Sequence, residues 1–152
     1  GLVEPVKAAA ARGTPFLGIC VGLQLLFEHR EEGAGSAGLG VFGGRVVRFP
    51  DAAETGLQVP HMGWNRLMPA AGQPGPLLAE TTGNPYTYFV HSYYAVPEDP
   101  EIVLATCDYG VEFPAMVGRD NVYAVQFHPE KSQTEGIAIL RAFGNLAQGA
   151  VL

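Results

Sequence analysis

The apolar and polar positions of this chain change rhythm several times, and each change marks an element. Residues 2–12 carry an alanine-rich helical pattern that Arg12-Gly13 ends. A short apolar run at about 15–19 predicts a buried strand. The spacing of Leu23, Leu26 and Phe27 then predicts a helix over 21–30. The glycine-rich tract 31–38 reads as a loop, and 41–49 as a strand in which Gly43-Gly44 marks a turn or bulge. A Pro- and Gly-rich surface loop is expected over 69–85. Short strands follow at 86–91, 94–96, 102–107, 115–117 and 122–127. A closing amphipathic helix over 133–146 carries Ile137, Leu140 and Phe143 at helical spacing. With no internal repeat, the order predicts an α/β fold: one domain, 1–152, with a mixed central β-sheet flanked by helices. The strand at 15–19 has no earlier strand to pack beside it, so the chain reads as lacking an N-terminal part of its sheet.

Composition narrows the functional classes. A hydrophobic fraction of 47% against 16% charged residues fits a compact protein rather than a disordered one. The net charge of −6, with basic residues scattered, argues against a nucleic-acid partner and against a polybasic membrane patch. No apolar run is long enough for a bilayer and no signal peptide is visible, so the expected location is cytoplasmic. Two cysteines 87 positions apart, without a CxxC, suggest neither a disulfide framework nor a zinc cage. None of the histidines has a metal-ligand spacing, so no metal and no cofactor are expected.

One cysteine sits at a corner. In Gly18-Ile-Cys20-Val-Gly22 the strand pattern passes at once into a helical one, the G-x-nucleophile-x-G form of a strand–turn–helix elbow. Glycines two positions before and after the cysteine relieve collisions that side chains would make on so tight a turn. The helix N-terminus favours thiolate over thiol, and the Val21 amide points where an oxyanion would develop. A buried structural cysteine beside incidental glycines is the competing reading of this stretch. Cys107, within an apolar strand pattern, reads as buried.

A cysteine nucleophile needs a base and an orienting group. His128 ends the apolar strand 122–127 and is stiffened by Pro129. Glu130, two residues on, falls on the same side of an extended chain. Strand-end cysteine and strand-end histidine can meet where ligand sites of open α/β sheets collect.

These two motifs, G-I-C-x-G-x-Q at 18–24 and Q-F-H-P-E at 126–130, resemble the class I, triad-type glutamine amidotransferases, whose fold is flavodoxin-like. The resemblance implies Cys20, His128 and Glu130 as the triad, a glutamyl thioester intermediate, and release of ammonia from L-glutamine. It implies Gln24 as a substrate contact, Glu32 as a carboxylate for the substrate's α-ammonium, and main-chain groups of Ser92 and Tyr93 for its α-carboxylate. His91 either lies beside that pocket or is a satisfied structural histidine.

Pro-His-Met-Gly-Trp-Asn at 60–65, with Tyr88–Tyr94, resembles within that group the glutaminase subunits of imidazole glycerol phosphate synthase. Those subunits serve histidine biosynthesis. They dock as heterodimers on a (β/α)8-barrel cyclase that takes the ammonia and makes imidazole glycerol phosphate and AICAR. By that resemblance Pro60, Met62, Trp64, Tyr88 and Lys131 form the partner surface. From pattern alone, Met62 and Trp64 read equally well as core. A second oxyanion donor is expected on a segment preceding Gly1. The alternatives are a glutaminase of another pathway, such as pyridoxal phosphate synthesis, and a catalytically silent scaffold that only binds its partner.

Overall fold

A computed structural model describes residues 3–72 and 75–149. The helix Val3–Ala11 (α1) leads into the strand Phe16–Ile19 (β1) and the five-residue helix Val21–Leu25 (α2). Strands Phe27–Arg30 (β2), Ser36–Ala37 (β3) and Phe42–Arg48 (β4) follow, then the short helix Ala52–Thr55 (α3). His61–Arg66 (β5), Met68–Pro69 (β6), Tyr86–His91 (β7) and Tyr93–Pro97 (β8) occupy the middle of the chain. Val103–Asp108 (β9), Glu112–Arg119 (β10), Val122–Val125 (β11) and the helix Gln133–Gly149 (α4) complete it. No helix among the described residues is long and apolar enough to cross a membrane.

The strands form a five-stranded sheet, β1-β11-β10-β9-β6, a four-stranded sheet, β3-β2-β4-β8, and the pair β5-β7, rather than one continuous central sheet. The five-stranded sheet is mixed. β1 runs parallel to β11, Gly18 opposite Ala124 and Ile19 opposite Val125, whereas β11, β10 and β9 pair antiparallel. Alternation along β11 divides the core between its two faces. Val122 and Ala124 join Leu23, Leu26, Phe27 and Val46 on one side; Val125 joins Phe89, Phe113, Phe127 and Ile139 on the other.

Four expectations change. The helix over 21–30 ends at Leu25, because Leu26 gives its carbonyl to the amides of Val41 and Phe42 and Phe27 pairs with Phe42. Phe27 is buried while Glu28 and His29 are both exposed, so alternation is broken where the register shifts between Phe27 and His29. The loop 31–38 contributes β3, which pairs with β2. In the segment 69–85, a 3-10 turn at Pro76–Leu78 buries Leu77 and Leu78 against α4, so part of that loop is core. On α4 the buried face runs through Ile139 and Ala142, while Ile137 is half exposed. The bulge at Gly43-Gly44 is as expected: two steps along β2 oppose three along β4, and Gly44 has φ 126°.

Candidate active site

The parallel β1–β11 pairing sets the site. Both strands end on the same side of the sheet, and the Cys20 amide extends the ladder by bonding Val125 O at 2.8 Å. Cys20 itself has φ 51° and ψ −105°, a conformation that side chains rarely adopt. A Cβ at Gly18 would stand 2.8 Å from the backbone of Gly22 and 3.1 Å from Ala124 Cβ, so only glycine fits there. A Cβ at Gly22 meets nothing within 4 Å, so the collision expected at that second glycine is absent.

The Cys20 thiol lies 3.9 Å from Val90 O and 3.8 Å from Gln126 Nε2. Burial pushes its pKa up; the amide of Val21 and the Gln126 side chain pull it down, and the negative charge of Glu130 adds to the push. The net direction is upward. The dipole of a five-residue helix does not overcome burial, and the expected standing thiolate gives way to a thiol that needs a base.

His128 follows β11 by three residues. Its amide bonds Tyr88 O at 2.8 Å, which docks the strand end onto β7. Pro129 then opens a 3-10 turn, Pro129–Lys131, that returns Glu130 towards the ring. Glu130 Oε1 accepts from His128 Nδ1 at 2.7 Å, leaving Nε2 as the free acceptor. Ser132, fully buried, donates to His128 O at 2.6 Å and accepts from the Tyr88 amide at 3.0 Å. No hydrogen bond joins Cys20 to the His128 ring among the described residues. Resting triads commonly stand looser than the reacting ones.

The substrate-side residues are placed unequally. Gln24 is buried, and its Nε2 donates to Tyr93 O at 3.0 Å and to Gln126 Oε1 at 3.3 Å. Ser92 alone connects β7 to β8, its O accepting from the Phe49 amide, and Tyr93 opens β8 opposite Arg48. Glu32 is exposed and pairs with Arg30 at 3.3 Å, with no hydrogen bond to Cys20 or Gln24. Met62 and Trp64 are 62% and 46% exposed, which decides against a core role. They share the outward face of β5, and Pro60 just before it is exposed too. Trp64 meets Tyr88 edge-on at 6.1 Å, and Lys131 Nζ stands 5.9 Å from the centre of the Tyr88 ring. The surface expected to meet a partner therefore backs onto the segment that carries His128 and Glu130. Cys107 is fully buried and burial pushes its thiol up to about 12, so it is inert.

Gln126 and His61 escaped the sequence reading, and so did the pairing of His61 with His91. Gln126 opens the Q-F-H-P-E stretch, where one amide within an apolar run was the available signal. His61 and His91 face each other across β5 and β7, His61 Nδ1 to His91 Nε2 at 3.0 Å, a pairing that only the strand register reveals.

An elbow cysteine beside a strand-end His–Glu pair defines a triad-type amidotransferase, and the chain belongs to that family: residues 1–145 match the model for glutamine amidotransferase class-I. Among curated relatives, "Imidazole glycerol phosphate synthase subunit HisH" of Syntrophotalea carbinolica is 53% identical over 149 residues, 96% of this chain and 71% of that protein. The proteins of the same name from Geobacillus thermodenitrificans and Geobacter sulfurreducens are each 48% identical, over 98% and 96% of this chain and 70% of their own lengths. The branch of the family is that of the HisH subunits. Among solved structures, one described as a glutamine amidotransferase superposes with a TM-score of 0.67 at 25% identity, covering 97% of this chain and 69% of that one. The PurLQS structure from Thermotoga maritima gives 0.69 at 19% identity, covering 95% and 68%, a likeness of fold.

The histidine pair makes stability pH-dependent. Burial holds His61 down to about 4 and His91 down to about 3, against an ordinary value near 6.5. Below pH 6.5 the unfolded chain takes up protons that the folded chain refuses. Stability is therefore complete above that pH and falls as pH drops towards 4 and 3. The expected slope is up to about 1.4 kcal/mol per pH unit for each histidine. Urea unfolding at pH 7, 6 and 5 measures it, and His91→Asn removes one histidine's share.

Proposed function

We propose that Cys20, His128 and Glu130 hydrolyse L-glutamine to glutamate and ammonia, as the glutaminase half of imidazole glycerol phosphate synthase. The observation that carries this is the elbow. Cys20 is held at φ 51° with the Val21 amide facing its sulfur, beside a strand end where Glu130 fixes the tautomer of His128. His128 Nε2 takes the thiol proton as sulfur attacks the side-chain amide carbon. The Val21 N–H receives the oxyanion, and the same proton leaves with ammonia. A γ-glutamyl thioester remains, and His128 activates water to release glutamate. Gln24, Glu32 and the main chain of Ser92 and Tyr93 hold the amino-acid end of the substrate. No cofactor or metal enters these steps.

The ammonia passes to a (β/α)8-barrel cyclase in a cytoplasmic heterodimer. That partner lies against Pro60, Met62, Trp64, Tyr88 and Lys131. The exposure of Met62 and Trp64 supports this surface, since an aromatic flanked by a thioether is the make-up of an interface hot spot. Trp64→Ala is expected to weaken the complex by about 2 kcal/mol, roughly 30-fold in Kd, without lowering the unfolding temperature. Titration calorimetry with the cyclase reads both the affinity and the stoichiometry.

The pairing itself is tested by reconstitution. With glutamine, the complex should support cyclase turnover that free ammonium also supports; turnover with ammonium alone contradicts the proposal. Glu130→Gln keeps the side chain's shape but removes its charge and allows the wrong His128 tautomer. Glutamine-driven kcat should fall on the order of 100-fold while ammonium-driven turnover is unchanged.

A further inference from the structure

Beneath the outward face of β5 lies a run of buried polar groups that the triad does not use. Tyr93 O, a carbonyl, accepts from His91 Nδ1 at 2.8 Å, so that nitrogen carries the proton. His91 Nε2 must then accept, and the His61 nitrogen 3.0 Å away must donate, so His61 too is protonated on Nδ1. His61 Nε2 is left as an acceptor for Asn65 Nδ2 at 3.4 Å, and that same amide group donates to Asp108 O at 2.8 Å. Every donor in the run meets an acceptor in one direction only.

The cage around the pair holds this direction. His61 stacks on Tyr109 at 4.0 Å and Phe89 at 4.8 Å, and His91 tilts against Phe49 at 5.2 Å and Phe113 at 5.1 Å. Neither imidazole is more than 5% exposed, so water does not replace a missing partner. At the far end the same Tyr93 carbonyl accepts from Gln24 Nε2. Gln24 in turn donates to Gln126, whose own Nε2 reaches the Cys20 sulfur at 3.8 Å.

We propose that His61 and His91 are positioning residues: a neutral imidazole pair, both protonated on Nδ1, that fixes the Tyr93 carbonyl and through Gln24 and Gln126 sets the Cys20 thiol on its elbow. The inference rests on the reading of Cys20 as the nucleophile. The run begins on β5, whose inward side carries His61 and Asn65 while its outward side carries Met62 and Trp64. One strand therefore presents the partner surface and anchors the thiol's support. A purely structural pair would stabilise the protein and leave the chemistry of each folded molecule alone.

Three measurements on the complex with the cyclase separate these roles. First, nitrogen NMR of the wild type with labelled histidine should find both rings in the Nδ1–H tautomer; Nε2–H on His91 overturns the proposal. Second, His91→Phe keeps the aromatic volume but removes the donor to Tyr93. His91→Asn keeps an N–H close to the Nδ1 position. Per folded molecule, His91→Phe should lower glutamine kcat, and the alkylation rate of Cys20 by iodoacetamide, on the order of 10- to 100-fold. His91→Asn should recover most of both. Equal rates for His91→Phe and wild type, or no recovery with Asn, overturn it.

Third, Asn65→Asp replaces a donor by an acceptor, draws the His61 proton to Nε2 and reverses the run without emptying the cage. Reversed tautomers with undiminished kcat also overturn the proposal, and reversed tautomers with a fall like that of His91→Phe support it. A wild-type complex that releases no ammonia from glutamine, or a Cys20→Ala complex that does, instead defeats the reading of the nucleophile beneath.

Discussion

Cys20→Ala is expected to abolish glutamine-driven ammonia release, by at least on the order of 10⁴-fold, while the protein folds and binds its cyclase as before. The sulfur is the atom that would bond to substrate. His128, Glu130 and the Val21 amide act only on what that bond creates, so no neighbour substitutes for it. Structure should survive because Cys20 contributes its backbone to the fold: its amide bonds Val125 and its carbonyl accepts from Leu23 and Gln24. Besides the Val21 amide, the side chain makes long contacts, 3.8 Å to Gln126 and 3.9 Å to Val90. Alanine at φ 51° costs no more strain than cysteine does. Ammonium-driven turnover of the partner should be unchanged, which separates loss of the nucleophile from loss of the complex.

The second large effect lies on α4. Alanine normally stabilises a helix interior relative to glycine by about 1 kcal/mol. At Gly136 the sign reverses, because a Cβ there would lie 1.9 Å from Pro129 O and 2.8 Å from Ser132 Cβ. Pro129 is backbone of the turn that carries Glu130, and it cannot yield without moving the His128–Glu130 pair. Gly136→Ala should therefore destabilise the protein by about 3 kcal/mol. It should also slow glutamine hydrolysis per folded molecule on the order of 10- to 100-fold. Gly144, on the same helix with nothing within 4 Å of its would-be Cβ, is the control. Gly144→Ala should raise stability by about 0.5–1 kcal/mol and leave activity unchanged. Denaturant unfolding of both variants, with a glutaminase assay, distinguishes a close helix–turn contact from ordinary helix propensity.

What the sequence made legible was local. The elbow at Cys20 needs a glycine two residues before it, and Gly18 shows why. Pro129 after His128 opens a turn, as its fixed geometry implies, although β11 stops at Val125 and His128 lies three residues past it. Met62 and Trp64 are exposed where pattern alone read them equally well as core. Illegible features depend on partners far along the chain. Residues 26–30 carry leucine and phenylalanine at spacing that suits a helix, but Phe42 and Val46 recruit them into a sheet. Leu77 sits among prolines and glycines in a segment that looks like surface, yet α4 covers it. Nothing in the sequence joined His61 to His91 until antiparallel pairing set them opposite each other. The upward pKa of Cys20 has the same origin: the helix end was readable, the burial around it was not.

The most direct test of the central claim is acid-quenched peptide mapping of the complex during glutamine turnover. One γ-glutamyl group should appear on the peptide carrying Cys20, decay once glutamine is exhausted, and accumulate in Glu130→Gln only if water attack slows more than acylation. Its absence from Cys20 while ammonia is being released, or its appearance on Cys107, would contradict the account.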